Sequence, residues 1–172
     1  MKKLAIVLAC LVLFHCKDVD DLLTFTISDQ VTITVPSSSP FNLPVELATP
    51  DVTTNSSQKF ANNNTEASLV KDIRLQELTL AIQSPSGKTF SFLKSIHIYI
   101  STNSSNEILL ASLDNIPTSV TSISLTPTQE KPDVYAKASS YKLRTSIVTR
   151  ETLTQNVEMK TDLKFRVTAA PL

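Results

Sequence analysis

DIRLQELTLAI, Asp72 to Ile82, decides the fold. Ile73 and Leu75 alternate with charged neighbours, then Leu78, Leu80 and Ile82 alternate with Thr79 and Ala81. Strict alternation places one row of side chains on each face of a β-strand, whereas a helix would repeat its apolar positions every three to four residues. The two runs are out of phase with each other across Gln76-Glu77. One extra residue at a β-bulge would restore the phase and keep both rows on one face. The stretch therefore predicts a long bulged strand in the middle of the chain.

Period two continues outward in both directions. Upstream, Leu23, Phe25 and Ile27, then Val31, Ile33 and Val35, alternate with Thr and Ser, with a break expected at Ser28-Asp29-Gln30. Phe41, Leu43, Val45 and Leu47 follow, and Pro44 suits an edge strand because it cannot donate to a ladder. Downstream, Ser84-Pro85-Ser86-Gly87-Lys88 reads as a hairpin turn. Phe90, Phe92, Ile96, Ile98 and Ile100 then share a face, with His97 and Tyr99 opposite. Further strands are expected around Ile108–Leu113 and Val120–Leu125, and over Tyr141, Leu143, Thr145, Ile147 and Thr149. Val157–Lys160 and Leu163–Val167 read as two strands of a closing hairpin. Short helices are expected from Asn64 or Thr65 through Val70, and at Asp133–Ala138 with Asp133 as cap. Residues 49–66 are rich in Asn, Ser and Thr and form the longest irregular segment, the default contact region. Eight to ten strands spaced by turns predict an all-β antiparallel sandwich with one or two short helical turns, a single domain over residues 22–172. A closed barrel is the alternative.

Composition limits the chemistry. The chain has 172 residues, 41% of them hydrophobic, which suits a globular core. It has one glycine, Gly87. Phosphate-cradling loops, nucleophile elbows and dinucleotide fingerprints need several, where backbone must approach a ligand closely. Tryptophan is absent and tyrosines number 3, so stacking platforms are scarce. Without Lys2 and Lys3, the 16 basic residues fall to 14 against 16 acidic ones, which gives no reason to expect a nucleic acid. Beyond residue 15, His97 is the only histidine, read as a polar-face strand residue. No cofactor or metal is expected, since a zinc site would need further His or Cys ligands.

The amino-terminus carries an address. Met1-Lys2-Lys3 is a short basic head, and Leu4–Phe14 (LAIVLACLVLF) contains no polar residue. The run has the length of a signal-peptide core and is too short to span a bilayer. It ends in LFHCKDVDD, Leu13 to Asp21. This segment resembles the signal of bacterial lipoproteins, whose lipobox runs Leu-(Ala/Ser)-(Gly/Ala)-Cys. Leu13 and Cys16 match, while Phe14 and His15 depart from it. The resemblance implies a signal peptide over 1–15, a diacylglycerol on Cys16 and anchoring in the outer membrane. Cys10, preceded by Ala9, is the rival acceptor. Lys17, Asp18, Asp20 and Asp21 resemble the acidic export signal of Bacteroidetes-type surface lipoproteins, so residues 16–21 read as a lipidated cysteine and acidic tether. Both cysteines lie in this region, which leaves the folded part without thiols. The function expected is a non-catalytic cell-envelope module that binds or scaffolds a protein or glycan, tethered to the membrane by its lipid. The alternative is a hydrolase, or an accessory to lipid or glycan processing, with its site around His97.

Overall fold

The computed structural model describes residues 23–170. The chain is an antiparallel β-sandwich. Its nine strands, counted among the described residues, are β1 Thr24–Val35, β2 Pro44–Ala48, β3 Val52–Thr53, β4 Val70–Ser84, β5 Leu93–Ser101, β6 Ile108–Asp114, β7 Ser122–Pro127, β8 Ser140–Thr149 and β9 Val157–Ala169. Two short helices interrupt them, α1 Ser56–Ala61 and α2 Asp133–Lys137. The strands run β1-β9-β4-β7-β6-β5-β8-β2, and β3 adds to β8. Strand β7 makes the fold's corner. Ser122–Leu125 pair with β4 in one layer, and Thr126 and Pro127 pair with β6 in the other.

The bulge expected in the middle of β4 is present. Opposite β9 the register slips between Leu75 and Glu77, and Ile73, Leu75, Leu78 and Leu80 all face inward. Gln76 is the extra residue, exposed on the outer side. From the other layer Phe92, Ile96, Ile98, Leu143 and Ile147 complete the core, each at most 1% exposed.

Several expectations are corrected. No break interrupts β1: its register against β9 is continuous from Thr24 to Val35, and Asp29 takes an inward position between Ile27 and Val31. The final hairpin is one strand, β9, which continues through Thr161 and Asp162 with Thr161 fully buried. The Gly87 turn joins two layers rather than two paired strands. Lys88 N–H donates to the Pro85 carbonyl at 3.2 Å and Gly87 has φ +76°, which only glycine adopts freely. Strand β4 before it pairs with β7 and β9, while β5 after it pairs with β6 and β8.

The first helix lies at Ser56–Ala61, inside the polar stretch, and Val70 already belongs to β4. Phe60 explains the position. It is fully buried and meets Phe25 edge-on at 6.4 Å between ring centres. One aromatic anchor settles a helix whose other residues are polar apart from Ala61, because burying a phenyl ring outweighs weak local propensity. Asp133 begins α2 but does not cap it. Its Oδ1 instead accepts the Ile73 N–H at 3.1 Å, just past the register slip between Val70 and Asp72. Phe41 and Leu43 are exposed, so the inward alternation of the β2 region begins only at Val45 and Leu47. Strand β2 does lie at the edge, as Pro44 implies.

Candidate functional site

Cys16, Lys17, Asp18, Asp20 and Asp21 lie outside the described residues. The remaining sequence candidate, His97, sits on the outer face of β5. Its Nε2 lies 3.3 Å from Asp114 Oδ1, and its ladder partners are Ser112 on β6 and Ser146 on β8. An acid is therefore within reach of the imidazole, but the setting is an open sheet. His97 is 37% exposed and Asp114 66%. Ser146 Oγ donates to Glu46 Oε1 at 2.7 Å and so is committed elsewhere. Strand β5 is paired on both edges, so its backbone N–H groups serve ladders rather than a developing oxyanion.

The same face carries an ion-pair lattice. Arg144 on β8 donates from Nε and Nη2 to the two oxygens of Glu107, at 2.9 and 2.6 Å. Its Nη1 reaches Glu46 on β2, and its guanidinium lies 4.0 Å from the centre of the Tyr99 ring. The hydrogen bond from Arg144 holds the Glu107 carboxyl below the usual carboxylate range. Tyr99 is thus covered by a cation and is no free stacking platform.

A second polar cluster lies inside the fold. Asp29 on β1 accepts from Lys59 of α1, which also donates to the Ser28 carbonyl at 2.7 Å. Tyr141 of β8 donates its hydroxyl to Asp29 Oδ2 at 3.1 Å. Burial first, then the Asp29 charge, raises the Tyr141 phenol far above its ordinary value. The cluster ties β1 to the opposite layer through α1. Much of the polar 49–66 stretch is likewise stitched down. Thr54 and Ser56 are buried and bond the carbonyls of Ala138 and Lys137.

A third constellation is a groove of about 320 Å³ lined by Lys71, Asp72, Lys131, Arg166 and Thr168. Pairing of β4 with β9 sets Asp72 beside Thr168 and Arg74 beside Arg166, and the loop before α2 brings Lys131. Asp72 Oδ2 accepts from Arg74 Nε at 3.1 Å, and Lys131 Nζ lies 3.0 Å from Oδ1. Arg74 also donates to the Gln129 carbonyl at 2.7 Å. Burial pushes the Asp72 carboxyl up, but the hydrogen bonds and charges of Lys131 and Arg74 outweigh it and hold it below the usual range. None of these three constellations is visible in the sequence alone, because their members come from distant segments with no local spacing to mark them.

No family profile and no curated protein matches the chain. Among solved structures it is similar to Desmodium yellow mottle tymovirus, at 15% identity and TM-score 0.30, covering 87% of this chain and 83% of that one. It is also similar to the decameric BFDV capsid protein, at 10% identity and TM-score 0.36, covering 85% and 98%. A further likeness is to CpGH89CBM32-5 from Clostridium perfringens, at 9% identity and TM-score 0.30, covering 83% and 97%. At these scores no functional argument rests on the likenesses.

Proposed function

We propose that the protein is a non-catalytic lipoprotein of the cell envelope, a β-sandwich tethered to the outer membrane through an acylated Cys16, which presents its sheet faces to a protein or glycan. The observation that carries this reading is the stretch from Met1 to Asp21: a basic head, an unbroken apolar run, then a cysteine followed at once by charges. Supporting it, the histidine of the folded part stands on an open, doubly paired sheet rather than in a cleft. A single acyl chain holds a protein only marginally, and the several chains of a lipoprotein terminus hold it firmly.

The test is the intact mass of protein extracted from membranes, wild type beside Cys16→Ala. The expected wild-type mass is that of residues 16–172 plus acyl chains, with both the addition and membrane retention lost in the variant. Acylation that survives Cys16→Ala moves the anchor to Cys10. A soluble, unmodified product refutes the lipoprotein reading.

A second reading, a hydrolase using His97, draws on the 3.3 Å approach of His97 to Asp114. It requires that His97→Ala abolish a measurable hydrolysis.

A further inference from the structure

The strand order begins and ends on edge strands, β1 and β2, and the two edges are built differently. Strand β2 has five residues and carries Pro44, which has no N–H to offer, and the charged Glu46. Short length, proline and charge are the ordinary means of blunting a sheet edge. Strand β1 has 12 residues. Its first half is covered, because Phe60 of α1 packs on Phe25 and Lys59 donates to the Ser28 carbonyl at 2.7 Å. Its second half, residues 30–35 (QVTITV), carries no charge, glycine or proline. Among the described residues no strand pairs with it on its outer side.

The ladder decides which backbone groups face outward. Ala169 N–H donates to the Leu23 carbonyl at 3.2 Å, so Leu23 faces β9. In an antiparallel ladder a residue points its N–H and C=O to the same side, and the side alternates along the strand. The register against β9 is continuous, so Val31, Ile33 and Val35 face β9 as well. Gln30, Thr32 and Thr34 face the open edge, on the side where the Ser28 carbonyl meets Lys59. An uncharged edge of this kind is a template for another strand.

The open window matches itself. A second β1 set antiparallel about Thr32 places Thr32 opposite Thr32, and Gln30 opposite Thr34 at either end. About six backbone hydrogen bonds then close. On the outer face only uncharged Thr and Gln meet, and on the inner face Val31 meets Ile33 of the second copy. Val31, partly buried in the single chain, gains cover. The incoming strand ends at its Val35, one residue short of the position opposite Ser28, where Lys59 begins to occupy the edge. We propose that the protein forms a two-fold dimer by this pairing of β1 with β1 of a second copy, joining their β1 layers into one sheet. Pairing consumes both open edges, so assembly closes at two.

The experiment uses the full chain in neutral detergent. Cys10 and Cys16 are its only cysteines, so a cysteine added at Thr32 is read against wild type treated alike. In the dimer the two Thr32 Cα atoms lie about 5.5 Å apart, whereas the two Thr26 Cα atoms lie about 40 Å apart. A short bismaleimide should therefore join Thr32→Cys into a dimer. It should leave wild type and Thr26→Cys, also exposed on the outer face, as monomers. Sedimentation equilibrium in density-matched detergent reads the affinity. Thr32→Pro removes an N–H on the open edge and spares the ladder with β9. It takes two bonds from the dimer, each worth about fivefold, and should weaken it about 25-fold. Thr32→Glu serves if proline unfolds the strand. Lys160 of β9 lies opposite and offsets the new charge in the single chain, but in the dimer two carboxylates meet. An unchanged circular dichroism spectrum shows either variant folded. Equal cross-linking of Thr32→Cys and Thr26→Cys overturns the proposal. So does a monomer at every concentration, or a dimer that both folded variants leave intact.

Discussion

Asp29 and Tyr141 meet across the sandwich, the tyrosine hydroxyl donating to the carboxylate at 3.1 Å from the opposite layer. Strand β1 has only β9 as a ladder partner, and this bond, with Lys59 and the Phe25–Phe60 contact, helps to hold its other flank. Tyr141→Phe keeps the ring and Lys59, and should lower stability by about 1.5 kcal/mol. Asp29→Ala leaves a buried phenol and an ammonium without their acceptor, and should cost about 3 kcal/mol. Urea unfolding at pH 7 separates the two. Equal losses, or none, would mean that the clasp does not hold β1.

The same pair sets the alkaline limit. Tyr141 has its phenol pKa raised in the fold, by burial and then by Asp29, while in the unfolded chain it titrates near 10. The folded protein therefore keeps a proton that the unfolded chain releases. That contribution is whole below about pH 10 and is lost progressively above it. Tyr135 is shifted in the same direction, chiefly by burial, and adds to the slope. Melting temperatures across pH 8 to 11 should fall more steeply for wild type than for Tyr141→Phe. Parallel curves would show that Tyr141 ionises as freely in the fold as outside it.

On the outer face, Arg144 organises Glu107, Glu46 and Tyr99. Lysine can supply the charge there but not the fork or the flat stack. Arg144→Lys should cost about 0.5–1 kcal/mol, the ordinary worth of an exposed pair with good geometry. Arg144→Met should in addition return the Glu107 carboxyl upward, towards its ordinary value. An NMR titration of the Glu107 carboxyl carbon reads this directly, and an unmoved midpoint would place the cause elsewhere.

What was legible in the sequence follows from where each signal lives. The bulge at Gln76 is written as a phase slip between Leu75 and Leu78, because period two is local. Period two alone places a break within β1 at Ser28-Asp29-Gln30 and divides β9 in two around Thr161, in each case where a polar residue takes an inward position. An alternation rule scores such a residue as a turn, although the backbone register passes straight through it. Helix α1 was misplaced because its stability comes from Phe60 reaching Phe25, a contact across some 35 positions that no window sees. The groove draws on Lys71, Asp72, Lys131, Arg166 and Thr168, so it exists only once β4 lies beside β9 and the loop before α2 folds back. The stretch from Met1 to Asp21 is the opposite case: its basic head, apolar run and cysteine are a linear pattern that needs no fold to be seen.

Thr161 turns one of those misreadings into a prediction. It lies opposite both Val31 and Leu80, midway along the central strand, fully buried. Its Oγ1 has no hydrogen-bond partner among the described residues. A buried hydroxyl left without a partner costs roughly 1–3 kcal/mol, and valine has nearly the same shape with a methyl in its place. Thr161→Val should therefore stabilise the protein by about 1 kcal/mol, and it restores the apolar alternation that the sequence lacks between Met159 and Leu163. Thr145 of β8 is also fully buried with an unpartnered Oγ1, and Thr145→Val should behave alike. The two sites are on different layers, so their gains should add if they share no neighbour. Urea midpoints of the single and double variants check both the sign and the sum. A loss of stability at Thr161 would show that its hydroxyl makes a bond in solution, and that the polar residue is there to hold the register of β9.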